Sequence, residues 1–125
     1  MRLITTKLLH NMHYFVSLSL FLLGFYTLLS NSNLIKKMIG LNIMDTSIFL
    51  FLVSVGYIKG GRAPIINLNV KEAIYVNPVP QALVLTGIVV SFSISVFAFT
   101  LIKKLYSHYN TIDTEEIMEI RSSKK

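Results

Sequence analysis

Charged residues are almost absent from three long apolar stretches of the chain. The stretches at 14–30 and 82–102 carry no charge, and the stretch at 38–58 carries one, Asp45. A helix rises about 1.5 Å per residue, so about 20 apolar residues cross a hydrocarbon core of roughly 30 Å. The pattern therefore predicts an all-α membrane protein with three transmembrane helices. With their flanking turns, the predicted spans are residues 10–30, 34–58 and 81–103.

The first stretch has to be distinguished from a cleavable signal peptide, because Arg2 and Lys7 precede it. Its apolar run is long for a signal peptide and LLSNSN has no small-x-small cleavage site, so we expect a retained helix. That helix crosses the bilayer fully if it begins near Leu8 or Leu9, which places His10 at the headgroup level. Strands of a membrane β-barrel are not expected, since the apolar runs are continuous rather than alternating.

The connections decide which segments share a side of the membrane. The first connection, NSNLIKK, is short, so helices one and two form an antiparallel hairpin. On the side of the N-terminus and the long second connection lie five basic residues: Arg2, Lys7, Lys59, Arg62 and Lys71. On the side of the first turn and the C-terminal tail lie seven: Lys36, Lys37, Lys103, Lys104, Arg121, Lys124 and Lys125. Basic residues favour the cytoplasm, so the count predicts by a small margin an outside N-terminus and a cytoplasmic C-terminus.

The third helix is preceded by NPVPQ, which predicts a rigid entry. Pro78 and Pro80 fix φ and disfavour helix upstream of them. Gln81 falls in the first turn, where its side chain can serve backbone donors that lipid would leave unpaired. We expect one membrane domain over residues 1–125. Its short charged tail, 105–125, forms either a short amphipathic helix docked on a partner or a frayed end.

Composition narrows the classes of function. Hydrophobic residues make up 53% of the 125 residues and charged residues 14%, about half the usual charged share of a soluble domain. The absence of cysteine excludes disulfides, thiolate metal sites and cysteine nucleophiles. The net charge of +6 comes from residues at the ends of apolar runs and in the tail, so we expect a lipid bilayer and no nucleic acid as partner. No catalytic motif is present and the three histidines are scattered, so no catalytic residue, metal or cofactor is expected.

Small and polar residues in the third stretch predict a helix-packing face. Gly87, Ser91 and Ser95 recur every four residues, and such a small-xxx-small stripe lets another helix backbone approach closely. Thr86 and Ser93 lie seven apart on a common face, where they can hydrogen-bond across a helix interface. A role in a water path is the alternative interpretation.

The second stretch carries one polar patch. Asn42, Asp45 and Thr46 stand at i, i+3 and i+4 and so share a helix face. Asp45 lies roughly 16 Å into a helix that begins near Leu34, where an ionisable group is costly and faces protein or water. These three residues are therefore candidates for a proton or cation path. The competing interpretation is an Asp45 that is neutral or hydrogen-bonded and serves packing.

Two segments of the sequence match patterns of a known family of membrane proteins. The segment NPVPQALVLTGIVVSF carries P-x-PQAL-x-LT-x-IV(I/V)-x-F and resembles the C subunit of the multisubunit Mrp-type (Mnh) cation/proton antiporters. The segment MIGLNIMDTSIFLFLVSVGYIKGGRAPI is similar to the second helix and following loop of that family, and the resemblance covers roughly residues 33–121. The wider family includes the small K-type subunit of respiratory complex I and its equivalent in membrane-bound hydrogenases. The resemblance implies three transmembrane helices with the N-terminus outside, in agreement with the basic-residue count.

The resemblance also bears on the candidate residues. The complex I relatives carry glutamates implicated in proton transfer, and those positions correspond to Asn42 and Ser91 here, which cannot titrate. The C subunit of the antiporters also lacks these glutamates, so the resemblance favours the antiporter branch. Asp45 and Thr46 stand where the antiporter subunits have Ser and His, and the resemblance implies no role for Asp45.

Together these observations predict a multi-pass subunit of the cell membrane. The function expected from the resemblance is an accessory helix bundle between the larger subunits of a Na+/H+ antiporter, with Na+ and H+ moving through the complex. The alternative is the homologous subunit in the membrane arm of a membrane-bound hydrogenase or another complex I-related redox complex. A third interpretation is a self-assembling small membrane protein, an exporter or a holin, although the spans show no self-sufficient substrate site.

Overall fold

The computed structural model describes residues 11–65, 68 and 74–124, and every regular element in that part of the chain is helical. The helices are α1 (Met12–Ser30), α2 (Leu34–Val55), α3 (Val79–Tyr109) and α4 (Thr114–Ser123). The first three are long and apolar enough to cross a membrane, which confirms the all-α class and the three predicted spans. The expected start of the first span at residue 10 lies outside the described residues, as do Arg2, Lys7, Lys71 and Lys125.

The second helix ends three residues before its predicted end at 58. The sequence remains apolar there, but the backbone tightens at Gly56, and the amide of Tyr57 donates to the Ser54 carbonyl at 3.2 Å. A turn then follows, in which the Gly61 amide donates to the Ile58 carbonyl at 3.0 Å. Gly60 has φ +79°, a conformation that favours glycine at the third position of such a turn. The helix α2 therefore ends before Gly56, although the sequence remains apolar as far as Ile58.

The third helix is longer than the predicted span, which ran from 81 to 103. It begins at Val79, with Pro80 in its first turn, where a missing N–H costs nothing. The Val79 amide donates 3.0 Å to the side-chain oxygen of Asn77, so this residue takes the capping role expected of Gln81 at that donor. The helix ends only at Asn110, which has φ +57°. Apolarity falls after residue 103 but helix propensity does not, so α3 continues beyond the membrane-spanning part.

Small residues at seven-residue spacing hold α1 against α2. Ser17 and Gly24 are buried on α1, and the buried residues of α2 are Gly40, Ser47 and Ser54. A Cβ built on Gly24 would lie 2.7 Å from the Gly40 carbonyl oxygen, so the two backbones touch. Heptad spacing keeps one face of each helix turned to the other. This seam is a tight contact of backbone on backbone, as membrane helix pairs with small residues form.

The α2–α3 contact is antiparallel and runs from Asn42 to the C-terminal end of α2. Its points of contact, from one end to the other, are Asn42 with Ser95, Asp45 with Ser91, Phe49 with Gly87, and Gly56 with Pro80. The residues of α2 that contact α3 lie about half a turn around the helix from Gly40 and Ser47, which contact α1. Since α1 and α3 pack on opposite sides of α2, the three helices form a layer one helix thick.

Both faces of this layer are apolar and exposed. Among the described residues the one buried apolar side chain is Ile102, whereas the buried polar side chains are Ser17, Ser47 and Ser54. Large apolar side chains line the outside of all three long helices. Such an arrangement, with small residues inside and apolar ones outside, is stable where the surroundings are lipid or other transmembrane helices.

The tail is tied to the first turn. The Ser32 hydroxyl donates to Asp113 Oδ2 at 2.7 Å, the Thr114 amide donates to the Ser32 carbonyl at 3.1 Å, and the Leu34 amide donates to the Ile112 carbonyl at 3.0 Å. Asp113 also caps α4 by accepting from the Glu115 amide at 2.9 Å. The turn and the tail therefore meet at one end of the layer, and α4 begins from a fixed point.

Candidate functional site

Two hydrogen bonds join the polar patch of α2 to the serine stripe of α3. The Ser91 hydroxyl donates to Asp45 Oδ2 at 2.6 Å, and the Ser95 hydroxyl donates to Asn42 Oδ1 at 2.8 Å. Asp45 is the twelfth residue of the 22-residue α2, so the pair lies near mid-span. Two of the predicted ion-path candidates, Asn42 and Asp45, and two of the predicted packing residues, Ser91 and Ser95, therefore form one structural unit. We call these four residues the polar rungs.

Thr46 stands beside the polar rungs rather than within them. Its hydroxyl donates to the carbonyl of Asn42 at 2.9 Å in its own helix, and the side chain is exposed. Together with Asn42, Ser91 and Ser95 it lines an open groove of about 620 Å³ along one flank of the α2–α3 contact. The remaining lining is apolar and includes Phe92.

Asp45 does not line this groove. By helical periodicity it lies on the other flank of the contact, on the side of Ile48, and its side chain is half-buried. Oδ2 accepts from Ser91, and within the described residues no lysine, arginine or histidine forms an ion pair with the carboxylate. Nor do three His, Asp or Glu side chains of residues 11–65, 68 and 74–124 come together to hold a metal ion.

The other candidate packing residues occupy two different environments. Gly87 faces α2, since a Cβ there would lie 2.6 Å from Cε1 of Phe49. Thr86 is exposed, and its hydroxyl donates to the carbonyl of Ala82 in its own helix at 3.0 Å. Ser93 does the same with Val89 at 2.9 Å. Within the described residues, neither hydroxyl forms a hydrogen bond to another helix. The packing role of Thr86 therefore remains a prediction, which would require a contact with another subunit.

The entry to α3 lies beside a second open cavity, of about 560 Å³, at the end of the layer opposite the tail. Asn77, Pro80 and Gln81 line it together with His13 and Lys59. Pro80 also packs against Gly56, where a Cβ would lie 3.0 Å from its ring. The entry motif therefore fixes where α3 meets the end of α2, while Pro78 stands just before the helix as its N-cap residue.

Sequence comparison places these features in a known family. The profile of the family NADH-ubiquinone/plastoquinone oxidoreductase chain 4L matches residues 12–122, nearly the whole chain. The chain belongs to this family. This match confirms the family membership that the PQAL segment predicted. The polar rungs therefore lie in a protein of the chain 4L family.

Two relatives of this chain 4L family member cover most of its length. It is 38% identical over 103 residues to the C1 subunit of a Na(+)/H(+) antiporter from Staphylococcus aureus strain JH9, a match that spans 82% of this chain and 88% of that protein. It is also similar to a chain in the solved structure of the membrane-bound sulfane sulfur reductase, an archaeal respiratory membrane complex. There the identity is 43% and the TM-score 0.77, over 83% of this chain and 94% of that one. The chain is thus homologous to subunits of both kinds of complex.

Several structural residues of this family member were not predicted from its sequence. Gly24, Gly40 and the serines Ser17, Ser47 and Ser54 form the α1–α2 seam, and their seven-residue spacing was the available signal. Ser32 and Asp113 lie 81 positions apart in the sequence, and no local pattern indicates that they bond.

Proposed function

We propose that this chain is a small membrane subunit of a multisubunit Na+/H+ antiporter of the cell membrane. Its role is structural: it joins larger membrane subunits and performs no catalysis itself. The observation that carries this proposal is the layer one helix thick, whose two apolar faces are suited to contact membrane helices on both sides. Its near full-length similarity to the C1 subunit of an antiporter supplies the kind of complex.

Co-purification tests the proposal. The tagged chain, extracted from its native membrane in mild detergent, is expected to bring down several larger membrane proteins. Deletion of its gene is expected to abolish Na+/H+ antiport in everted vesicles, and re-expression to restore it. A homo-oligomer that moves ions after reconstitution alone would contradict the proposal.

The second candidate is the corresponding subunit in the membrane arm of a redox-driven complex. It is favoured by the similarity to a chain of the sulfane sulfur reductase, with 43% sequence identity and a TM-score of 0.77. This similarity is found in the sequence as well as in the fold. The same co-purification separates the two. A peripheral arm with nickel–iron or iron–sulfur centres among the partners would establish the redox-complex function.

We further propose that the N-terminus lies outside and the C-terminus in the cytoplasm. The supporting observation is the larger number of basic residues on the side of the first turn and the tail, which the structure joins through Ser32 and Asp113. The chain has no cysteine, so single cysteines can be introduced without background. A cysteine at Tyr57 is expected to react with an impermeant maleimide in intact cells, whereas one at Met118 is expected to react only after lysis.

The polar rungs and the neighbouring Thr46 are the proposed border of an ion path through the complex, in which Asp45, Asn42 and Thr46 are the candidate side chains of α2. The support is a half-buried carboxylate at mid-span and, on the opposite flank of the same α2–α3 contact, an open groove lined in part by hydroxyl and amide groups. The test is the Asp45→Asn variant, with transport normalised to the amount of assembled complex. An altered rate or pH dependence is expected, and an unchanged rate and pH profile would remove Asp45 from the path.

A further inference from the structure

The Asp45 carboxylate has one hydrogen-bond partner in the described chain, and it lies at an uncovered face of the layer. This partner is the Ser91 hydroxyl of α3, which donates a hydrogen bond to Oδ2. Around the carboxylate, by helical periodicity, stand the apolar residues Ile48, Val90 and Ile94, with exposed fractions of 43%, 52% and 51%. Asp45 is thus a charge-bearing group set into an apolar surface that another helix or lipid has to cover.

Lipid is the less suitable cover. A carboxylate at mid-span is costly in hydrocarbon, and such groups face protein or water and pair with another charge. The Ser91 hydroxyl is uncharged and donates a single hydrogen bond, so it leaves the negative charge of the carboxylate unbalanced. The described chain supplies no cation there, since the basic residues of α2 and α3 lie near the helix ends.

We propose that a transmembrane helix of a neighbouring subunit packs on this face and carries a lysine or arginine that pairs with Asp45. This inference rests on the proposed function, because it requires that the chain is a subunit of a larger membrane complex. The serine then has a defined role, since it holds Oδ2 toward α3 so that Oδ1 points its lone pairs to the partner. The apolar residues around Asp45 lower the effective dielectric on this flank of the contact, opposite the groove, which strengthens the attraction between the charges.

The first experiment measures assembly in the native complex. The amount of partner subunits that co-purify with the tagged chain is compared for wild type, Asp45→Asn and the control Ser93→Ala. Loss of one member of a buried ion pair leaves the other charge uncompensated, so Asp45→Asn is expected to lower the yield of complex about tenfold or more. Ser93→Ala removes a hydroxyl that bonds within its own helix and is expected to leave the yield unchanged.

The second experiment identifies the partner helix. A photo-reactive benzoylphenylalanine is placed at Ile48, beside Asp45, and as a control at Tyr26 on α1. The Ile48 adduct is expected to contain a transmembrane segment with a lysine or arginine near its middle. Changing that residue to aspartate is expected to abolish assembly with wild type and to restore it with Asp45→Lys.

The outcomes separate the two proposals. If wild type brings down no membrane subunit, the proposed function fails and this inference fails with it. If wild type assembles and Asp45→Asn assembles equally well, no basic residue of a partner pairs with this carboxyl group, and the inference alone is overturned. A cross-linked segment without a basic residue, or cross-links to lipid only, also overturns it.

Discussion

Ser91 of α3 donates its hydroxyl to Asp45 of α2 at 2.6 Å, and this bond joins two features that the sequence presents separately. The family resemblance implies that the complex I relatives have glutamates at the positions of Asn42 and Ser91. Here both positions take part in the polar rungs, and the titratable group stands one turn away at Asp45. This chain therefore has a carboxylate at the α2–α3 contact, although neither Asn42 nor Ser91 supplies it.

The first prediction concerns this bond. Ser91→Ala leaves Asp45 Oδ2 without its donor, and interhelical hydrogen bonds in membranes contribute about 0.6–2 kcal/mol. We expect Ser91→Ala to lower the free energy of unfolding in detergent by about that amount. Ser93→Ala, which removes a hydroxyl bonded to Val89 of its own helix, should change it by less than about 0.5 kcal/mol.

A double-mutant cycle provides the check. Ser91→Ala combined with Asp45→Ala should cost less than the sum of the two single changes, because both remove the same bond. Additive effects would show that the contact contributes nothing measurable. Ser95→Ala, which removes the neighbouring rung to Asn42, should resemble Ser91→Ala in sign but be smaller, since its acceptor is a neutral amide.

The sequence predicted the helices well because hydropathy and charge are local properties. Continuous apolar runs indicated three helices long enough to span a membrane, and small residues on α3 indicated a packing face; Gly87, Ser91 and Ser95 lie at the α2–α3 contact. The ends were predicted less well. Apolarity continued past Gly56, where α2 ends, and declined before Asn110, where α3 ends.

Contacts between distant segments could not be predicted from one sequence. The pairing of Asp45 with Ser91 depends on the register between α2 and α3, which side-chain packing sets and composition does not. The same holds for Ser32 and Asp113, which meet because the hairpin and α3 return to one end of the layer. Small residues indicate that a helix has a contact face, but not which helix lies against it.

The second prediction concerns the α1–α2 seam. In Gly40→Ala the new Cβ would lie 2.9 Å from both the Gly24 carbonyl oxygen and the Leu28 amide nitrogen. Both are backbone atoms, which cannot rotate away as a side chain can. The two helices must therefore move apart to make room for the new Cβ. We expect a loss of about 1–3 kcal/mol in the free energy of unfolding, the usual range for overpacking, measured by unfolding in mixed detergent.

Gly24→Ala should behave like Gly40→Ala, because its Cβ would lie 2.7 Å from the Gly40 carbonyl oxygen. A matched control is Ser19→Ala on α1, whose exposed hydroxyl bonds to Phe15 of the same helix. Equal stability of Gly40→Ala and Ser19→Ala would contradict a seam that depends on close backbone approach.

The third prediction concerns Gly87. A Cβ there would meet the ring of Phe49 at 2.6 Å, and a ring can move where a backbone cannot. Gly87→Ala should therefore destabilise the chain less than Gly40→Ala in the same unfolding measurement. Phe49→Leu, which shortens the opposing side chain, should recover part of the loss when combined with Gly87→Ala. If the double variant is less stable than the sum of both changes predicts, Phe49 is not the residue that Gly87 accommodates.

The last prediction concerns the tail and its dependence on pH. The Ser32 hydroxyl, followed by the Glu115 amide, holds the pKa of Asp113 below its ordinary value of 3.8. A lowered pKa in the folded state means that the charged carboxylate stabilises docking above pH 3.8, and that this contribution is lost as the pH falls through the lower value. Spin labels on cysteines at Ile35 and Met118 should therefore report a fixed distance at neutral pH and a broader distribution once the pH falls below the lowered pKa of Asp113. Ser32→Ala should move this transition to higher pH, and Asp113→Asn should remove its pH dependence; a transition that persists unchanged in Asp113→Asn would assign the effect to another group.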